Sequence, residues 1–193
     1  MRIGGLLAFV AALAVLASGC AASGDKGARV PEPIRTADAS FVVTSTDFVD
    51  GGDLPESTKA SGLGGQCAGQ NISPELSWSG APHGTAAYAI TMIDISADDF
   101  VHWTKADILS DVTSVPAGGA DALAGVGGRG GLSSGTYFGP CPPTAGHHYV
   151  ITIYALDAPL GLEANFGIGA LDDALAPHLL AEASITGLAG PTG

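Results

Sequence analysis

Four polar side chains lie where predicted strands begin or end, and their types suit the binding of an anion. Asp94 follows the apolar run 88–93, His102 lies near the start of the next run, and His147 and His148 precede a third. A protonated imidazole donates hydrogen bonds to phosphate oxygens, and a neighbouring carboxylate orients the ring. A lone histidine is more simply explained as structural, so an anion site requires that these groups converge.

Two other chemistries are open to residues of this chain. Zinc could be held by two histidines and one aspartate, but neither His102 nor His147 has a second histidine four residues further on. A G-x-S-x-G pattern occurs at residues 131–135. A nucleophile elbow requires a strand before its serine, whereas glycines precede Ser133. We therefore predict no metal, no cofactor and no enzymatic activity.

The loop that presents the paired histidines is rich in proline. Residues 139–149 include Pro140, Pro142 and Pro143, and they lead directly into the apolar alternating run 150–156. Proline fixes φ and removes a backbone donor, so this loop should be stiff. Rigid loops on a sheet scaffold often carry binding groups, and the alternative is a tight turn whose histidines are merely solvated.

Short runs rich in β-branched and apolar residues predict the strands that position these groups. The strand candidates are residues 41–46, 76–78, 88–93, 100–108, 150–156 and 183–186. Residues 54–72 lack any period and predict a long loop, and residues 111–135 predict a glycine-rich surface segment. Apolar residues at helical spacing predict a helix over residues 169–180, kinked or restarted at Pro177. The sequence thus predicts a mostly β fold, an antiparallel β-sandwich with a C-terminal helix.

The N-terminal residues 1–20 have the pattern of a bacterial lipoprotein signal peptide. Arg2 precedes an apolar run over residues 3–16 that is too short to span a bilayer, and small residues lead to Cys20. This ending resembles a lipobox in which Cys20 becomes the lipidated first residue, although Ala17 stands where leucine is commonest. The alternative is an ordinary secretory signal cut near Ala21 or Ala22. Residues 21–39, rich in Ala, Gly, Pro and charge, predict a flexible tether to a domain over residues 40–193.

Lipidation of Cys20 would leave an even pair, Cys67 and Cys141, in an oxidising compartment. A disulfide between them would tie the proline-rich loop to a segment far upstream. The alternative is a reactive or metal-bound thiol, against which the absence of a C-x-x-C spacing argues.

Composition limits the number of domains and the class of partner. With 193 residues, of which 46% are hydrophobic, the chain can bury one sizeable core. Its 29 glycines and 12 prolines favour a turn-rich β fold. A formal net charge of -12 repels nucleic acid and anionic lipid at long range, although it does not exclude one small anion at a locally neutral site.

Four motifs, in this order along the chain, resemble those of the phosphatidylethanolamine-binding protein family in its bacterial Raf-kinase-inhibitor-like branch. Residues 69–78 resemble the family's G-x-N-x-S-P-x-L-x-W, and residues 82–85 resemble the P-x-G-T that follows. Asp94 leading to His102 and Trp103 resembles D-P-D-A-P…H-W, and residues 139–149 resemble G-x-x-P-P…H-H-Y. The resemblance covers residues 41–187, and cysteines at the places of Cys67 and Cys141 resemble those of exported members, which supports the disulfide.

The resemblance implies two antiparallel sheets and a small pocket for anions such as phosphate or a phosphoryl headgroup. It places the pocket at Asp94, His102, Gly139, Pro142, Pro143, His147 and Tyr149. One departure lies at the segment D-P-D-A-P, where this chain lacks both prolines and has Ser96 in place of the second aspartate. Asp98 or Asp99 could supply the missing carboxylate.

These observations predict an extracytoplasmic binding protein, lipid-anchored in the bacterial cell envelope, that takes a small anionic ligand or a phospholipid headgroup. Asp94 would orient His102, the two histidines and Tyr149 would donate to the anion, and Pro142 and Pro143 would form a wall. Because some members of the family inhibit kinases or serine proteases, the alternative is a regulatory protein that acts on a protein partner through its surface.

Overall fold

The computed structural model describes residues 40–191, which form eleven strands and one α-helix. The strands are β1 (Val42–Thr44), β2 (Gly52–Asp53), β3 (Ser61–Gly62), β4 (Cys67–Ala68), β5 (Leu76–Ser79), β6 (Ala87–Asp94), β7 (Phe100–Leu109), β8 (Ser114–Val115), β9 (Val126–Gly127), β10 (His147–Leu156) and β11 (Leu179–Ala189). The helix, α1, is Ile168–Leu175 and lies between β10 and β11. Among these residues there is no helix long and apolar enough to cross a membrane.

The strands form a six-stranded sheet, a three-stranded sheet and a small hairpin. The large sheet has the order β2-β11-β10-β6-β7-β9, the smaller sheet has the order β1-β5-β8, and β3 pairs with β4. All of these pairings are antiparallel except that of β2 with β11. The predicted mostly β fold with multiple sheets and one helix is therefore confirmed.

The main core lies between the two larger sheets. Val43 and Trp78 of the small sheet belong to the same buried cluster as Ile90, Met92 and Ile151 of the large sheet. Successive side chains of a strand point to opposite faces, so the alternate residues Ala87 and Ala89 of β6 face away from this cluster. They pack instead with residues of α1 in a second buried cluster. Burial on both faces explains why β6 is almost continuously apolar.

The helix is shorter than predicted, and the strand after it is longer. The sequence predicted a helix over residues 169–180, whereas α1 ends at Leu175 and β11 begins at Leu179. Ala176 still has helical φ and ψ, but Pro177 has no N–H to continue the hydrogen bonds of the helix, which explains the early end. The first residues of β11 lack apolar alternation, with Leu179 and Leu180 both exposed. Their strand conformation comes from pairing with β10, which a local pattern cannot show.

The segment predicted as a long loop over residues 54–72 is more structured than expected. It contains two 3-10 turns, Glu56–Thr58 and Leu63–Gly65, and the hairpin of β3 and β4. The prediction of a structureless loop was therefore wrong. The predicted signal peptide, the lipidated Cys20 and the tether lie outside the described residues and stay predictions.

Candidate functional site

A cavity of about 210 Å³ opens at one end of the large sheet. It lies where β6 ends, where β7 and β10 begin, and against the proline-rich segment 138–143. Its lining residues are Leu63, Asp94, Ala97, Phe100, His102, Leu132, Phe138, Cys141, Pro142, Pro143, His147 and Tyr149. Most of this lining is apolar, and its polar side chains are one carboxylate, two imidazoles and one phenol. There is no lysine or arginine among the lining residues.

The carboxylate and one imidazole form a hydrogen-bonded pair. His147 Nδ1 lies 2.7 Å from Asp94 Oδ2, and the two side chains are 15% and 4% exposed. The antiparallel register places Tyr149 opposite Asp94, and His147, two residues before Tyr149 at the start of β10, lies on the same face. The other carboxylate oxygen, Oδ1, accepts the Ser96 N–H at 2.9 Å. Asp94 is therefore held on both sides and fixes the ring of His147.

The second imidazole is buried and fixed by the opposite wall. His102 Nδ1 lies 2.8 Å from the Phe138 carbonyl oxygen, which can only accept, so Nδ1 carries a proton. Burial lowers the pKa of His102, against the opposing effects of the Phe138 carbonyl and the Asp94 carboxylate. The ring packs between aromatic side chains, with Phe138 stacked at 5.7 Å and Tyr149 edge-on at 5.0 Å between centroids. At neutral pH His102 is therefore an uncharged ring with Nε2 as an acceptor.

Tyr149 forms the base of the cavity. Only 1% of its surface is exposed, and it lies directly opposite Asp94 across the β6–β10 pair. Burial, and then the nearby Asp94 carboxylate, raise the pKa of the phenol. The hydroxyl thus stays protonated and is a hydrogen-bond donor near that carboxylate.

The wall of the cavity is fastened to the segment 56–71. The Asn71 side chain donates to the Tyr137 carbonyl at 3.2 Å and accepts the Gly139 N–H at 2.8 Å. The Ala60 N–H donates to the Pro140 carbonyl at 2.8 Å. Cys67 and Cys141 form a disulfide with their Cα atoms 5.8 Å apart, which confirms that prediction. The cavity wall is therefore held by covalent and polar links to a distant part of the chain.

The structure brings together most of the residues that the sequence singled out. Six of the seven predicted ligand-binding residues line the cavity: Asp94, His102, Pro142, Pro143, His147 and Tyr149. Gly139 is not among the lining residues. It lies behind the wall, where an added Cβ would come 2.2 Å from the Thr58 carbonyl oxygen.

Other residues considered from the sequence lie outside the cavity. His148 is exposed, and its backbone N–H donates to Ser96 Oγ at 3.0 Å. Neither Asp98 nor Asp99 lines the cavity, so neither replaces the carboxylate missing at Ser96. Ser133 Oγ donates to the Thr136 carbonyl at 2.9 Å and is also absent from the lining. In the part of the chain that the structure describes, no group of three His, Cys, Asp or Glu could hold a metal ion.

Sequence reasoning missed the apolar residues of the lining. Phe100 and Phe138 flank His102, while Leu63 and Leu132 come from turns far apart in the sequence. Leu63, Leu132 and the neighbouring Ile95 are 45%, 61% and 52% exposed. The only signal that could have found Phe100 and Phe138 is their closeness to His102 and to the proline-rich loop. Leu63 and Leu132 carry no such signal.

Two packed β-sheets with a small cavity of buried polar and aromatic groups at one sheet end define a β-sandwich with a candidate ligand site. A sequence model of the phosphatidylethanolamine-binding protein family matches residues 44–190, which is most of the chain. The chain belongs to the phosphatidylethanolamine-binding protein family.

Relatives with curated sequences support this assignment. YbcL of Escherichia coli is 38% identical over 129 residues, which cover 61% of this chain and 69% of YbcL. A protein of Methanothermobacter thermautotrophicus is 38% identical over 128 residues, covering 63% of this chain and 85% of its own. LppC of Mycobacterium tuberculosis, whose name describes it as a lipoprotein, is 33% identical over 171 residues, 78% of each chain. The similarity to LppC places this chain near the lipoprotein branch of the family.

Solved structures share the fold. The crystal structure of Escherichia coli YbcL, described as a member of the mammalian PEBP family, superposes with a TM-score of 0.72 and 32% identity. The superposition covers 80% of this chain and 100% of the YbcL chain. CT736 of Chlamydia trachomatis, described as a PEBP homologue, gives a TM-score of 0.70 at 26% identity, covering 79% and 99% of the two chains.

Proposed function

We propose that this protein binds a small oxyanion, such as phosphate or a phosphoryl headgroup, in the cavity at the end of the large sheet, and that it is not an enzyme. The observation that carries the proposal is the meeting of the Asp94–His147 pair with His102 inside one mostly apolar cavity. A low-polarity surrounding strengthens each hydrogen bond made to a charged ligand. Among the lining residues there is no serine, threonine or lysine that could serve as a nucleophile.

The histidines set the expected pH dependence. A protonated His147 would donate from Nε2 to an anionic oxygen while Asp94 holds Nδ1. Because this donation requires imidazolium, affinity for the anion should fall as pH rises. Tyr149, whose hydroxyl faces Asp94, would support that carboxylate, and Pro142 and Pro143 would form the rigid wall.

Calorimetric titration with inorganic phosphate and with phosphorylethanolamine tests the proposal between about pH 5.5 and pH 8. We expect binding at the acidic end that weakens toward the basic end, and at least tenfold weaker binding in the His147→Ala variant. The His148→Ala variant is the matched control, because its side chain is exposed and next to His147 in sequence. Equal affinity in the wild type and the His147→Ala variant would refute the proposal.

We further propose that the domain is anchored through a lipid on Cys20 at the extracytoplasmic side of the bacterial envelope. The signal-like N-terminus and the similarity to LppC support this placement, and an internal disulfide is typical of an oxidising compartment. Two acyl groups, of the palmitate type, would give stable anchoring. The wild-type protein should fractionate with membranes, and Cys20→Ser should release it. A Cys20→Ser protein that stays in the membrane fraction would contradict the anchor.

A second candidate function is regulation of a protein partner, such as a kinase or a serine protease. Three exposed apolar side chains, Leu63, Ile95 and Leu132, lie at or beside the cavity and favour it. Capture of envelope proteins by the tethered domain, and inhibition assays against serine proteases, separate the two functions. A surface role predicts that Leu132→Ser abolishes capture or inhibition while phosphate binding persists.

A further inference from the structure

The two imidazoles of the cavity use the same ring nitrogen, Nδ1, for their shortest hydrogen bonds within the protein. His102 Nδ1 donates to the Phe138 carbonyl, and His147 Nδ1 bonds to the Asp94 carboxylate. When one nitrogen of a neutral imidazole carries the proton, the other nitrogen can only accept a hydrogen bond. In its neutral form each ring therefore has Nε2 as an acceptor. That of His147 lies 3.4 Å from the Thr144 hydroxyl, a contact that an anion at this nitrogen would replace.

The other groups that face His102 include few donors. From β6 comes the Asp94 carboxylate, and from β10 come His147 and Tyr149, whose hydroxyl lies near that carboxylate. From the wall come the carbonyls of Phe138 and Gly139, which are acceptors. There is no lysine or arginine in the lining. The cavity is therefore rich in acceptors and short of donors, which is an unusual surrounding for an oxyanion.

We infer that the cavity selects oxyanions that carry their own acidic proton, namely inorganic phosphate and phosphate monoesters, over sulfate esters and phosphate diesters of the same size. The inference rests on the proposed anion site. His147 would supply the cationic donor, and His102 Nε2 would accept the P–O–H of the ligand. His102 is thus a specificity-determining residue, and the Phe138 carbonyl that fixes its tautomer is a positioning group.

The proton balance explains the discrimination. A phosphate monoester has a second pKa of about 6, so its own oxygen can carry the proton that is shared with His102 Nε2. A sulfate ester or a diester has no proton to bring, so the proton would have to reside on His102. Burial of the ring opposes that charge. If His102 stays neutral, its Nε2 faces an anionic oxygen without a hydrogen between them, which is repulsive.

A matched pair of ligands tests the inference in the wild-type protein. Phosphorylethanolamine and ethanolamine O-sulfate have the same size, and near about pH 5.5 both esters carry one negative charge, but only the phosphate has an acidic hydroxyl. We expect the phosphate to bind at least tenfold more tightly by calorimetry. Glycerophosphorylethanolamine, a diester, should behave like the sulfate, which distinguishes a free monoester from a lipid-type headgroup.

The same calorimetric titration, repeated in buffers of different ionisation enthalpy, measures how many protons are taken up when a ligand binds. At about pH 7.5 the monoester is mostly a dianion, so its binding should take up about one proton more than binding of the sulfate ester, beyond any proton that His147 takes up in both cases. Phosphate and sulfate esters that bind within twofold of each other, or that take up equal numbers of protons on binding, would overturn the inference while the proposed anion site stands. If neither ester binds, both the inference and the anion site are overturned.

A substitution at His102 provides an independent check. His102→Gln places an amide near the position of Nε2, and its NH₂ can donate to any oxyanion. The preference for phosphate over sulfate should shrink to within about twofold, while His83→Gln, at an exposed site outside the cavity, should leave it unchanged. An unaltered preference in a folded His102→Gln protein would contradict the role of Nε2. If that variant does not fold, the wild-type ligand ratio decides.

Discussion

Two histidines of the same cavity differ because their partners differ. His147 faces a carboxylate, which suits a charged ring, whereas His102 faces a backbone carbonyl and lies between aromatic rings. Desolvation disfavours the charged form of the His102 ring and lowers its pKa. One imidazole is thereby suited to act as a cation and the other as a neutral acceptor.

The lowered pKa of His102 should make stability depend on pH. Above the pKa of a histidine in the unfolded chain, about 6.5, the His102 ring is neutral in both the folded and the unfolded state and adds no pH dependence to stability. As pH falls below that value, the unfolded state takes up the proton first, so the free energy of unfolding decreases. The slope from this group approaches at most about 1.4 kcal/mol per pH unit.

Urea unfolding of the wild type and His102→Gln between about pH 5 and pH 8 measures this contribution. The decrease on acidification should be smaller in His102→Gln, and His83→Gln is the control for loss of an exposed histidine. Parallel curves for the wild type and His102→Gln would show that His102 does not contribute.

Two glycines of the proline-rich loop should respond differently to a methyl group. At Gly139 the added Cβ would lie 2.2 Å from the Thr58 carbonyl oxygen, so backbone must move. At Gly146 there is open space, but its φ of +84° penalises a side chain. We expect Gly146→Ala to cost about 1 kcal/mol and Gly139→Ala about 3 kcal/mol, with loss of phosphate binding only in the latter. Equal melting temperatures for the two variants would contradict the close contact at Gly139.

At the scale of single residues, the sequence predicted which residues form the site better than it predicted what each of them does. Motif order was sufficient to find Asp94, His102, His147 and Tyr149, because a shared pattern marks the positions. It did not predict that Asp94 orients His147 rather than His102, nor that His102 donates to the wall. Those facts depend on ring orientation and on a partner 36 residues away. Ser96 stands where the family has an aspartate, and only the structure could show that neither Asp98 nor Asp99 replaces that carboxylate.

At the scale of elements, the site depends on register and on one clamp. The pairing of β6 with β10 places Tyr149 opposite Asp94, and a shift by one residue would turn Tyr149 to the other face. The wall is set separately by the Asn71 side chain, whose amide bonds both residues flanking Phe138. Asn71 therefore fixes the position of the Phe138 carbonyl, which accepts the hydrogen bond from His102 Nδ1.

Removing the Asn71 amide should loosen the wall. Asn71 has a positive φ of 56°, so Asn71→Gly removes the side chain without backbone strain. Leaving a buried N–H and a carbonyl unpaired should lower the free energy of unfolding by about 2 kcal/mol. We also expect phosphate binding to weaken and the ¹⁵N resonances of His102 to lose the signature of a single protonated Nδ1.

Asn165 offers a matched control for that variant. It also has a positive φ, 66°, but its exposed side chain accepts only from Ser134 Oγ. Asn165→Gly should change stability by less than about 0.5 kcal/mol and leave the His102 resonances unaltered. Similar losses in the two variants would show that the clamp contributes nothing specific.

The strands were predictable from alternation and β-branched content, but the connections were not. Each of the main strands falls within a few residues of its predicted place, since burial on one or both faces leaves a local pattern. The segment 54–72 gave no such signal, because its structure comes from long-range bonds such as those of Ala60 and Asn71 to the wall. Pairing with β10 similarly extended β11 beyond its apolar residues.

At the scale of the molecule, one covalent link joins two distant segments. Cys67 and Cys141 are 74 residues apart, and Cys141 itself lines the cavity. Closure of a loop of this length restricts the unfolded chain, so stability and the shape of the site depend on the same bond.

Loss of the disulfide should reduce stability and ligand binding together. The chain-entropy relation predicts that Cys67→Ser with Cys141→Ser lowers the free energy of unfolding by about 4 kcal/mol. Urea unfolding with and without dithiothreitol measures it, and the reductant should have no effect on the double variant. A wild type whose melting temperature and phosphate affinity survive full reduction would show that the wall is held by polar contacts alone.

The outer edge of β11 has a consequence for self-association. Among the described strands, β11 pairs with β2 only at Gly187 and Leu188, so its residues 179–185 have no strand partner on that side. An unpaired edge can accept a strand from a second molecule, and the exposed Leu179 and Leu180 would favour this. The exposed Glu182 lies within that edge, where a charge opposes edge-to-edge pairing. We expect Glu182→Val to increase aggregation in light scattering, whereas Glu163→Val, in an exposed loop, should not.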